Sequence, residues 1–301
     1  MASANKKRRV TILQRIEYSV IRSILAMIHA MPYRLRIRAM GRVMQHVIAP
    51  VAGYSKRVRE NLELVAPEIP ADKRKEMVGR TANNIGRTLA ELFSPNEFAP
   101  LARTVELTGP GVAAIDAARD AGQPVIFVSG HFGNYDVIRS ALIARGLDVG
   151  GLYRRMNNPL FHEYYLNNIS TIGTPLFQRG RQGLGQMLRH LKKGGSLAAL
   201  IDVRAGNGEP LRFFGHRAWT AVSMAEMAVK YNALLVPCFA VRQADGISFE
   251  AIIEAPIPVG TPSEMTQAYN DILENHVREN MEQWFWFHRR WKDVPHREAA
   301  E

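Results

Sequence analysis

The second half of the sequence alternates between short apolar runs and amphipathic segments, and this alternation constrains the fold more than any other feature. Runs such as "PVIFVSG" (124–130) are typical of buried strands, because they are short, rich in β-branched residues and closed by a glycine. Segments such as "YDVIRSALIARG" (135–146) repeat their apolar residues at helical spacing. Consecutive strands separated by helices need crossover connections, so we predict an α/β fold with a mostly parallel sheet flanked by helices.

The same pattern extends over most of the chain. We expect further strands at 148–154, 174–177, 196–202, 234–242 and 246–257. We expect further helices at 159–170, 183–195, 219–233 and, as one long element, 264–292. The segment before this pattern is predicted to be helical, so the whole chain combines a helical N-terminal part with an α/β part.

Positive charge is concentrated at the N-terminus. Residues 1–60 contain 13 Lys and Arg but two acidic residues, so this segment accounts for the whole formal net charge of +11. Such a segment attracts nucleic acid or an anionic membrane. A nucleic-acid role is disfavoured, because the segment interleaves its cations with aliphatic rather than aromatic side chains and contains no recognised motif.

The stretch "YSVIRSILAMIHAMPY" (18–33) sharpens this interpretation. Its apolar residues recur at roughly helical spacing, but it is too short and too charged for a typical transmembrane helix. We therefore predict that residues 1–60 form a basic, amphipathic, membrane-associating helical segment and that residues 61–301 form the α/β domain. Two alternatives stay open here: a core-packing helix with a solvated basic face, and a single weakly hydrophobic span.

The residue types exclude several classes of chemistry. A single cysteine, Cys238, excludes an intramolecular disulfide framework. We find neither zinc-ligand spacing nor a Walker phosphate-binding loop, so no metal site and no nucleotide cofactor are predicted. No Ser or Cys stands in a nucleophile elbow, so the sequence does not suggest a covalent enzyme intermediate.

Three polar loops follow predicted strands: "VSGHFGNYD" (128–136), "LYRRMNNP" (152–159) and "LIDVRAGNGEP" (200–210). Sites in parallel sheets form at the carboxyl ends of strands. In the first loop His131 precedes Asp136, a combination suited to general base catalysis with an orienting carboxylate. Residues five apart on one helix differ by about 140° around its axis. The pair can therefore meet only if His131 lies on the turn before the helix.

Five blocks together resemble a known family. They are similar to conserved blocks of the glycerolipid acyltransferase superfamily, and best to those of the late lipid A acyltransferases, the lauroyl and myristoyl transferases of lipopolysaccharide assembly. The resemblance runs from about Arg15 to Lys292, with Arg155 standing where the family usually has proline. The matching blocks are "GHFGNYD" with its H-x4-D motif, "YRRMNNPLF", "RGRQGLGQMLRHLKKGG", "DVRAGNGEPLRFFGHRAWT" and "QWFWFHRRWK".

This resemblance implies a reaction and a location. It implies transfer of a fatty acyl chain from acyl carrier protein to a hydroxyl of a lipid A precursor, a phosphorylated glucosamine disaccharide. It implies no cofactor beyond the acyl carrier protein thioester. It also implies peripheral or single-span attachment to the cytoplasmic face of the inner membrane through the N-terminal segment. Acyl carrier protein and lipid phosphates are both acidic, which suits the basic segment.

The resemblance also assigns roles to particular residues. His131 is expected to be the general base and Asp136 its orienting carboxylate. Substrate-binding roles fall on a further set: Gly133, Arg154, Asn158, Arg179, Asp202, Arg289 and Arg290. The arginines are expected to bind phosphate or a developing oxyanion, because a guanidinium offers a fixed fork of donors.

Alternatives to this function remain at this point. A lysophospholipid or aminolipid O-acyltransferase would use the same His–Asp pair on another acceptor. A protein of a different class, a non-catalytic membrane-surface binding protein, would depend on residues 1–60 instead of His131. The aromatic cluster of "QWFWFHRRWK" (283–292) is compatible with core packing or with anchoring at a membrane interface.

Overall fold

The structure, a computed structural model, describes residues 10–293. Seven strands form one twisted sheet and two more form a hairpin. The sheet strands are β1 (Leu107–Thr108), β2 (Val125–Ser129), β3 (Val149–Tyr153), β4 (Leu176–Gln178), β5 (Ser196–Leu200), β8 (Leu234–Arg242) and β9 (Phe249–Ile253). The hairpin strands are β6 (Glu209–Phe213) and β7 (His216–Thr220).

Helices cover the sheet and form the N-terminal part. Those before the central strand β2 are α1 (Ile12–His29), α2 (Tyr33–Val43), α3 (Ala49–Val51), α4 (Tyr54–Val65), α5 (Ala71–Leu92), α6 (Pro95–Arg103) and α7 (Val112–Asp120). A π-helical turn, Met44–Ile48, joins α2 to α3. Those after β2 are α8 (Asp136–Ala144), α9 (Pro159–Ile172), α10 (Arg181–Lys192), α11 (Ser223–Tyr231) and α12 (Pro262–Glu279).

The strand order in the sheet is β1-β9-β8-β2-β5-β3-β4. All neighbouring strands are parallel except β8 and β9, which are antiparallel. The predicted α/β fold with a mostly parallel, helix-flanked sheet is therefore confirmed. In the β2–β5 register Ser129 lies opposite Leu200. The loops that follow these two strands consequently begin side by side at the same edge of the sheet.

The C-terminal region differs from its prediction. The helix expected over 264–292 ends at Glu279, and after a 3-10 turn (Met281–Gln283) the chain folds back onto the core. Trp284, Trp286 and Trp291 are at most 2% exposed there. In "QWFWFHRRWK" large apolar residues follow each other directly, so a helix would have pointed them in several directions instead of onto one face.

The hairpin was also missed. The helix expected over 219–233 begins at Ser223, because Trp219 and Thr220 belong to β7. The strands β6 and β7 meet at a two-residue turn in which Phe214 and Gly215 both have positive φ, 53° and 71°. Such a turn matches the twist of a hairpin, but it is normally built from Asn or Gly. Phe214 therefore concealed it in the sequence.

The N-terminal helices divide into a packed and an exposed part. The helices α2 and α5 approach so closely that a Cβ on Gly86 would lie 2.6 Å from the Met40 carbonyl oxygen. Helix α1, by contrast, contains no buried residue, so the core-packing alternative does not describe it. The boundary predicted at residue 60 falls within α4, and residues 1–9 and 294–301 of the two predicted parts lie outside the described residues.

Hydropathy adds one fact about these helices. Between residues 10 and 293, none of them is both long enough and apolar enough to cross a bilayer.

Candidate active site

The loop between β2 and α8 carries His131 on a tight turn. The Phe132 N–H donates to the Gly130 carbonyl oxygen at 2.8 Å, which folds the chain back on itself directly after the strand. Gly133 has a φ of +53°, and a Cβ there would lie 1.8 Å from the Ala240 carbonyl oxygen. This position needs glycine because the loop packs against β8. The space beside the Cα of Gly133, for which the sequence predicts a substrate-binding role, is filled by the Ala240 carbonyl oxygen of β8.

The carboxylate that binds His131 is Asp202. His131 Nδ1 lies 2.8 Å from Asp202 Oδ1, and the His131 backbone N–H donates to Asp202 Oδ2 at 2.8 Å. The two residues meet because they follow neighbouring strands, β2 and β5. An ionised carboxylate at Nδ1 favours the tautomer that carries its hydrogen there, which leaves Nε2 as an acceptor. The arrangement is that of a general base held by a buried acid.

The structure does not make the predicted pairing of His131 with Asp136. Asp136 is the first residue of α8, and its Oδ1 accepts hydrogen bonds from Arg139 Nε at 3.2 Å and Nη2 at 3.1 Å. Arg139 lies one turn further along the same helix, so the pair forms within the helix. The carboxylate that contacts His131 is therefore Asp202, for which the sequence predicts a substrate-binding role, and not Asp136.

The C-terminal tail supplies a third donor to Asp202. Trp284 Nε1 donates to Asp202 Oδ2 at 2.9 Å. The tail is held there by the His131 loop, since the Phe285 N–H donates to the His131 carbonyl oxygen at 2.9 Å and Phe132 forms an antiparallel bridge with Trp284. Residues far apart in the sequence therefore complete one hydrogen-bonded centre.

The electrostatics of Asp202 follow from these contacts. Its side chain is fully buried, and burial alone acts to raise the pKa of its carboxyl. The charge of His131 and its hydrogen bonds outweigh this effect, so the pKa of Asp202 is held well below its usual range. Asp202 is consequently ionised at neutral pH and stabilises a proton arriving on His131.

A second histidine, His288, lies against the first. The two ring centroids are 4.9 Å apart and the rings meet edge to face. Burial, reinforced by the nearby charge of His131, lowers the pKa of His288 to about 4. His288 is therefore uncharged at neutral pH and does not oppose protonation of His131. Its Nε2 is buried and has no hydrogen-bond partner among residues 10–293.

Two of the predicted arginines lie together further along the same edge. The Arg179 N–H donates to the Tyr153 carbonyl oxygen at 2.8 Å, which places Arg154 and Arg179 at the adjoining ends of β3 and β4. Both side chains are exposed. Strand β5 separates β3 from β2, so these arginines are neighbours of the His131 centre and not part of it.

Asn158 has a structural role instead of the predicted substrate contact. Its side-chain oxygen caps the N-terminus of α9 by accepting from Leu160 N at 3.1 Å. Its amide nitrogen donates to the Gln14 carbonyl oxygen at 2.8 Å and to Glu17 Oε2 at 2.9 Å. Asn158 thus fastens α1 to the α/β part, and its polar atoms are already occupied.

The two arginines of the tail have different environments, since Arg290 is buried and Arg289 is exposed. Arg290 is 1% exposed, donates to the Trp219 carbonyl oxygen at 2.8 Å and to Thr220 Oγ1 at 2.6 Å, and has its pKa lowered by burial to about 10. It anchors the tail to β7 and is not available to the phosphates predicted for it. Arg289 points outward and is exposed.

The sequence did not reveal that Asp202, Trp284 and His288 share one centre with His131. Asp202 was recognisable as a polar residue at a strand end, but the order of the strands is not written in the sequence. Trp284 and His288 belong to "QWFWFHRRWK", whose composition was compatible with core packing or with anchoring at a membrane interface. Only the return of the tail to the end of β2 brings these side chains together.

Known proteins with similar sequences identify the family of this chain. The profile of the family described as bacterial lipid A biosynthesis acyltransferase matches residues 3–293. The lipid A biosynthesis lauroyltransferase of Escherichia coli (strain K12) is 28% identical over 256 residues, which cover 80% of each chain. The palmitoleoyltransferase of lipid A biosynthesis from the same strain is 25% identical over 261 residues, again 80% of each chain.

A more distant relative is named for a different acceptor. The phosphatidylinositol mannoside acyltransferase of Mycobacterium tuberculosis (strain ATCC 25618 / H37Rv) is 22% identical over 245 residues, 79% of this chain and 78% of that protein. All three relatives are acyltransferases, and the family profile covers nearly the whole sequence. The chain that places His131 against Asp202 therefore belongs to the bacterial lipid A biosynthesis acyltransferase family and is an acyltransferase.

Proposed function

We propose that the protein transfers a fatty acyl chain from an acyl carrier protein thioester to a hydroxyl of a lipid A precursor, with His131 as general base and Asp202 as its orienting carboxylate. The observation that carries this proposal is the contact of 2.8 Å between His131 Nδ1 and the buried Asp202 carboxylate. Membership of the family supports the acyl transfer, and the two E. coli relatives are named for lipid A biosynthesis.

The chemistry follows from the orientation of the His131 ring, in which Nδ1 faces Asp202 and Nε2 is left as the proton acceptor. Nε2 of His131 takes the proton of the acceptor hydroxyl while the hydroxyl oxygen attacks the carbonyl carbon of the thioester. Asp202 keeps the hydrogen on Nδ1 and stabilises the imidazolium that forms. Collapse of the tetrahedral intermediate breaks the C–S bond, and the imidazolium returns its proton to the departing thiolate. The thioester supplies the activated acyl group, so this scheme uses no further cofactor.

For the end of the acyl chain we propose the cavity between the sheet and helices α8 and α9. It measures about 70 Å³ and is lined by Phe127, Leu152, Ile169 and Leu176 among others. Ser129, directly before the His131 loop, also lines it. A cavity of about 150 Å³ holds one benzene molecule, so binding of a fatty chain requires these helices to move apart.

The exposed side of α1 supports attachment to a membrane surface. Along this helix a row of apolar side chains at spacings of three and four faces outward: Ile12 (79% exposed), Ile16 (56%), Val20 (53%), Ile24 (44%) and Met27 (64%). Interspersed cations, among them Arg15 and Arg22, favour an anionic surface. We propose peripheral attachment at the cytoplasmic face of the inner membrane through this segment.

A second acceptor class is favoured by one finding. The mycobacterial relative is named for acylation of phosphatidylinositol mannoside. The His131–Asp202 pair would act in the same way on a hydroxyl of a different lipid, including a lysophospholipid. The acceptor and not the reaction distinguishes these candidates.

The test is acyl transfer by the purified full-length protein in detergent. Labelled acyl carrier protein thioesters are offered to a Kdo-lipid A precursor and, separately, to lysophosphatidic acid. Replacement of His131 by Ala should lower kcat by a factor of about 10² to 10⁴, because general base catalysis is lost. Transfer to the lysophospholipid alone would keep the mechanism and overturn the acceptor, whereas full activity of the His131→Ala variant would overturn the mechanism.

The two carboxylates provide a matched pair of variants. Asp202→Asn should lower kcat strongly, because an amide can donate to Nδ1 and thereby favour the wrong tautomer of His131. Asp136→Asn should weaken the Arg139 contact and affect stability more than kcat. The opposite ranking, measured at temperatures where both variants are folded, would restore Asp136 as the partner of His131.

A further inference from the structure

A groove rich in cations lies between the start of α4 and the C-terminal tail. It encloses about 330 Å³ and one of its walls is Trp291. Two of its lining cations come from α4, Lys56 and Arg57, and two from the tail, Arg289 and Lys292. We call this feature the cationic groove. Side chains from two distant parts of the sequence converge here with the same sign of charge.

Little negative charge offsets these cations. Glu60 also lines the groove, but it pairs with Lys56 at 3.8 Å. Within residues 10–293 no carboxylate lies at ion-pair distance from Arg57, Arg289 or Lys292. The first turn of α4 contains no acidic residue, so the partial positive charge of that helix end adds to the same field. This combination fits a phosphate, which Arg and Lys bind by charge-assisted hydrogen bonds.

The cationic groove is connected to the candidate active site by aromatic packing. Tyr54, at the start of α4, stacks on Phe287 with ring centroids 4.4 Å apart. Phe287 contacts Phe285 at 5.2 Å, and Phe285 contacts His131 at 5.8 Å. Arg57 is fixed to the same row, since its Nη1 donates to the Phe287 carbonyl oxygen at 3.0 Å. One continuous row of packed rings would thus connect a ligand in the groove to His131.

The surroundings of the groove indicate where its ligand comes from. Just before Gly53, Val43, Val47 and Val51 are 42%, 54% and 86% exposed at a regular spacing of four. A row of exposed apolar side chains beside a cluster of cations is typical of a surface that meets lipid headgroups. These neighbours favour a phosphate of the lipid substrate over a phosphate of a soluble donor as the ligand of the groove.

We propose that the cationic groove binds a phosphate of the acceptor lipid's headgroup and so positions the acceptor hydroxyl for His131. The inference rests on the proposed acyl transfer and adds the acceptor's phosphate as a recognised group. The phosphodiester of a carrier-protein donor has similar chemistry, and the test separates the two sources.

The test compares two double variants that remove the same charge. Arg289→Gln/Lys292→Gln alters the exposed tail cations of the groove. Lys193→Gln/Lys230→Gln is the control. It alters exposed cations at the C-terminal ends of α10 and α11, just before the amino ends of β5 and β8 and so at the end of the sheet opposite His131. Steady-state kinetics are measured with each substrate varied, using the acceptor that the wild-type protein acylates and the same acceptor after phosphatase treatment.

The groove variant should raise the acceptor KM about tenfold, the effect of lost charge-assisted contacts, with the donor KM unchanged. It should also lose the wild-type preference for the phosphorylated acceptor, while the control behaves as wild type. A rise in the donor KM alone would overturn the assignment to the acceptor. Unchanged kinetics with the preference retained would overturn the site.

A binding measurement keeps this inference separate from the proposed function. Calorimetric titration with inorganic pyrophosphate should show about tenfold weaker binding for the groove variant than for the control. If the wild-type protein transfers no acyl group, the proposed function fails while this titration still reports on the groove. Equal pyrophosphate affinities of the two variants would overturn the phosphate site itself.

Discussion

The tail (residues 283–292) and helix α1 occupy opposite positions in the structure. Both mix large apolar residues with Arg, mainly aromatic in the tail and mainly aliphatic in α1, and both were compatible with a membrane interface. In the tail, Trp284, Trp286 and Trp291 are at most 2% exposed, which decides for core packing. In α1, Ile12 and Leu13 are 79% and 75% exposed. Composition alone therefore does not tell a buried segment from a surface one in this chain.

The difference lies in the partners of the polar atoms. Each of the three buried indoles donates its N–H: Trp284 to Asp202, Trp286 to the Met281 carbonyl oxygen at 2.6 Å, and Trp291 to the Phe213 carbonyl oxygen at 3.2 Å. Burial of a polar group is costly unless it is hydrogen-bonded, and the tail meets this condition. The tail is therefore part of the core, whereas the outer face of α1 is exposed.

The largest difference should be in stability. Trp284→Ala removes a fully buried ring and should lower the free energy of unfolding by about 3–5 kcal/mol. Ile16→Ala removes an exposed side chain and should change it by less than about 0.5 kcal/mol. Urea unfolding of both variants checks this contrast. Similar losses would mean that α1 also packs into the core in solution.

The second effect is a dependence of the protein's stability on pH that arises from His288 in the tail. The pKa of His288 is about 4 in the folded protein and about 6.5 in the unfolded chain, which binds more protons between these values. His288 thus favours the unfolded state as the pH falls, and wild-type stability should drop by up to about 3 kcal/mol between pH 6.5 and 4.

His288→Phe keeps a ring of similar shape and removes the titrating group. Unfolding by urea at a series of pH values should show a shallower loss of stability for this variant. An identical slope in wild type and variant would place the acid sensitivity elsewhere.

A third, smaller effect separates catalysis from packing within the tail. Trp284→Phe keeps an aromatic ring but leaves Asp202 without one donor, which should cost about 1–3 kcal/mol of stability and lower kcat. Trp291→Phe removes the hydrogen bond to Phe213 and should cost similar stability with kcat retained. Thermal unfolding and kinetics on the same samples test the pair. Equal kcat values would remove Trp284 from the machinery that holds Asp202.

Variants of the exposed face of α1 should have the smallest effect on stability and a clear effect on membrane binding. Ile16→Ser/Val20→Ser should leave stability almost unchanged. Its binding to anionic vesicles should weaken about 30-fold, since two aliphatic side chains that become partly buried in the lipid together contribute about 2 kcal/mol. Val229→Ser/Val259→Ser, at exposed apolar positions outside α1, is the matched control in a vesicle sedimentation assay. Equal binding of the two variants would contradict attachment through α1.

Sequence patterns correctly predicted the elements that depend on interactions between residues close together in the sequence. The strands β2, β5 and β8 are apolar runs, and helix α8 ends at its predicted place because Gly146 adopts a positive φ there. His131 was recognised from a strand end and a motif. These features depend on neighbours in the sequence, and periodicity reports on such neighbours.

The partner of His131 depends on interactions that periodicity does not report. Asp136 is close in sequence, but Asp202 is close in space because β5 lies next to β2. The tail left its predicted helix because the bonds from Trp284 to Asp202 and from Arg290 to Thr220 join it to distant elements. The hairpin was hidden because Phe214 occupies a turn position that rarely takes an aromatic residue.

The contact between the tail and the His131 loop also means that the hydrogen-bonded centre is completed late in synthesis. A ribosome makes His131 and Asp202 before Trp284 and His288, which are among the last residues of the described chain. Until the tail is made and folds back, Asp202 has two of its three donors, the backbone and the ring of His131. A product cut short before Trp284 would carry His131 and Asp202 without the indole that donates to the carboxylate.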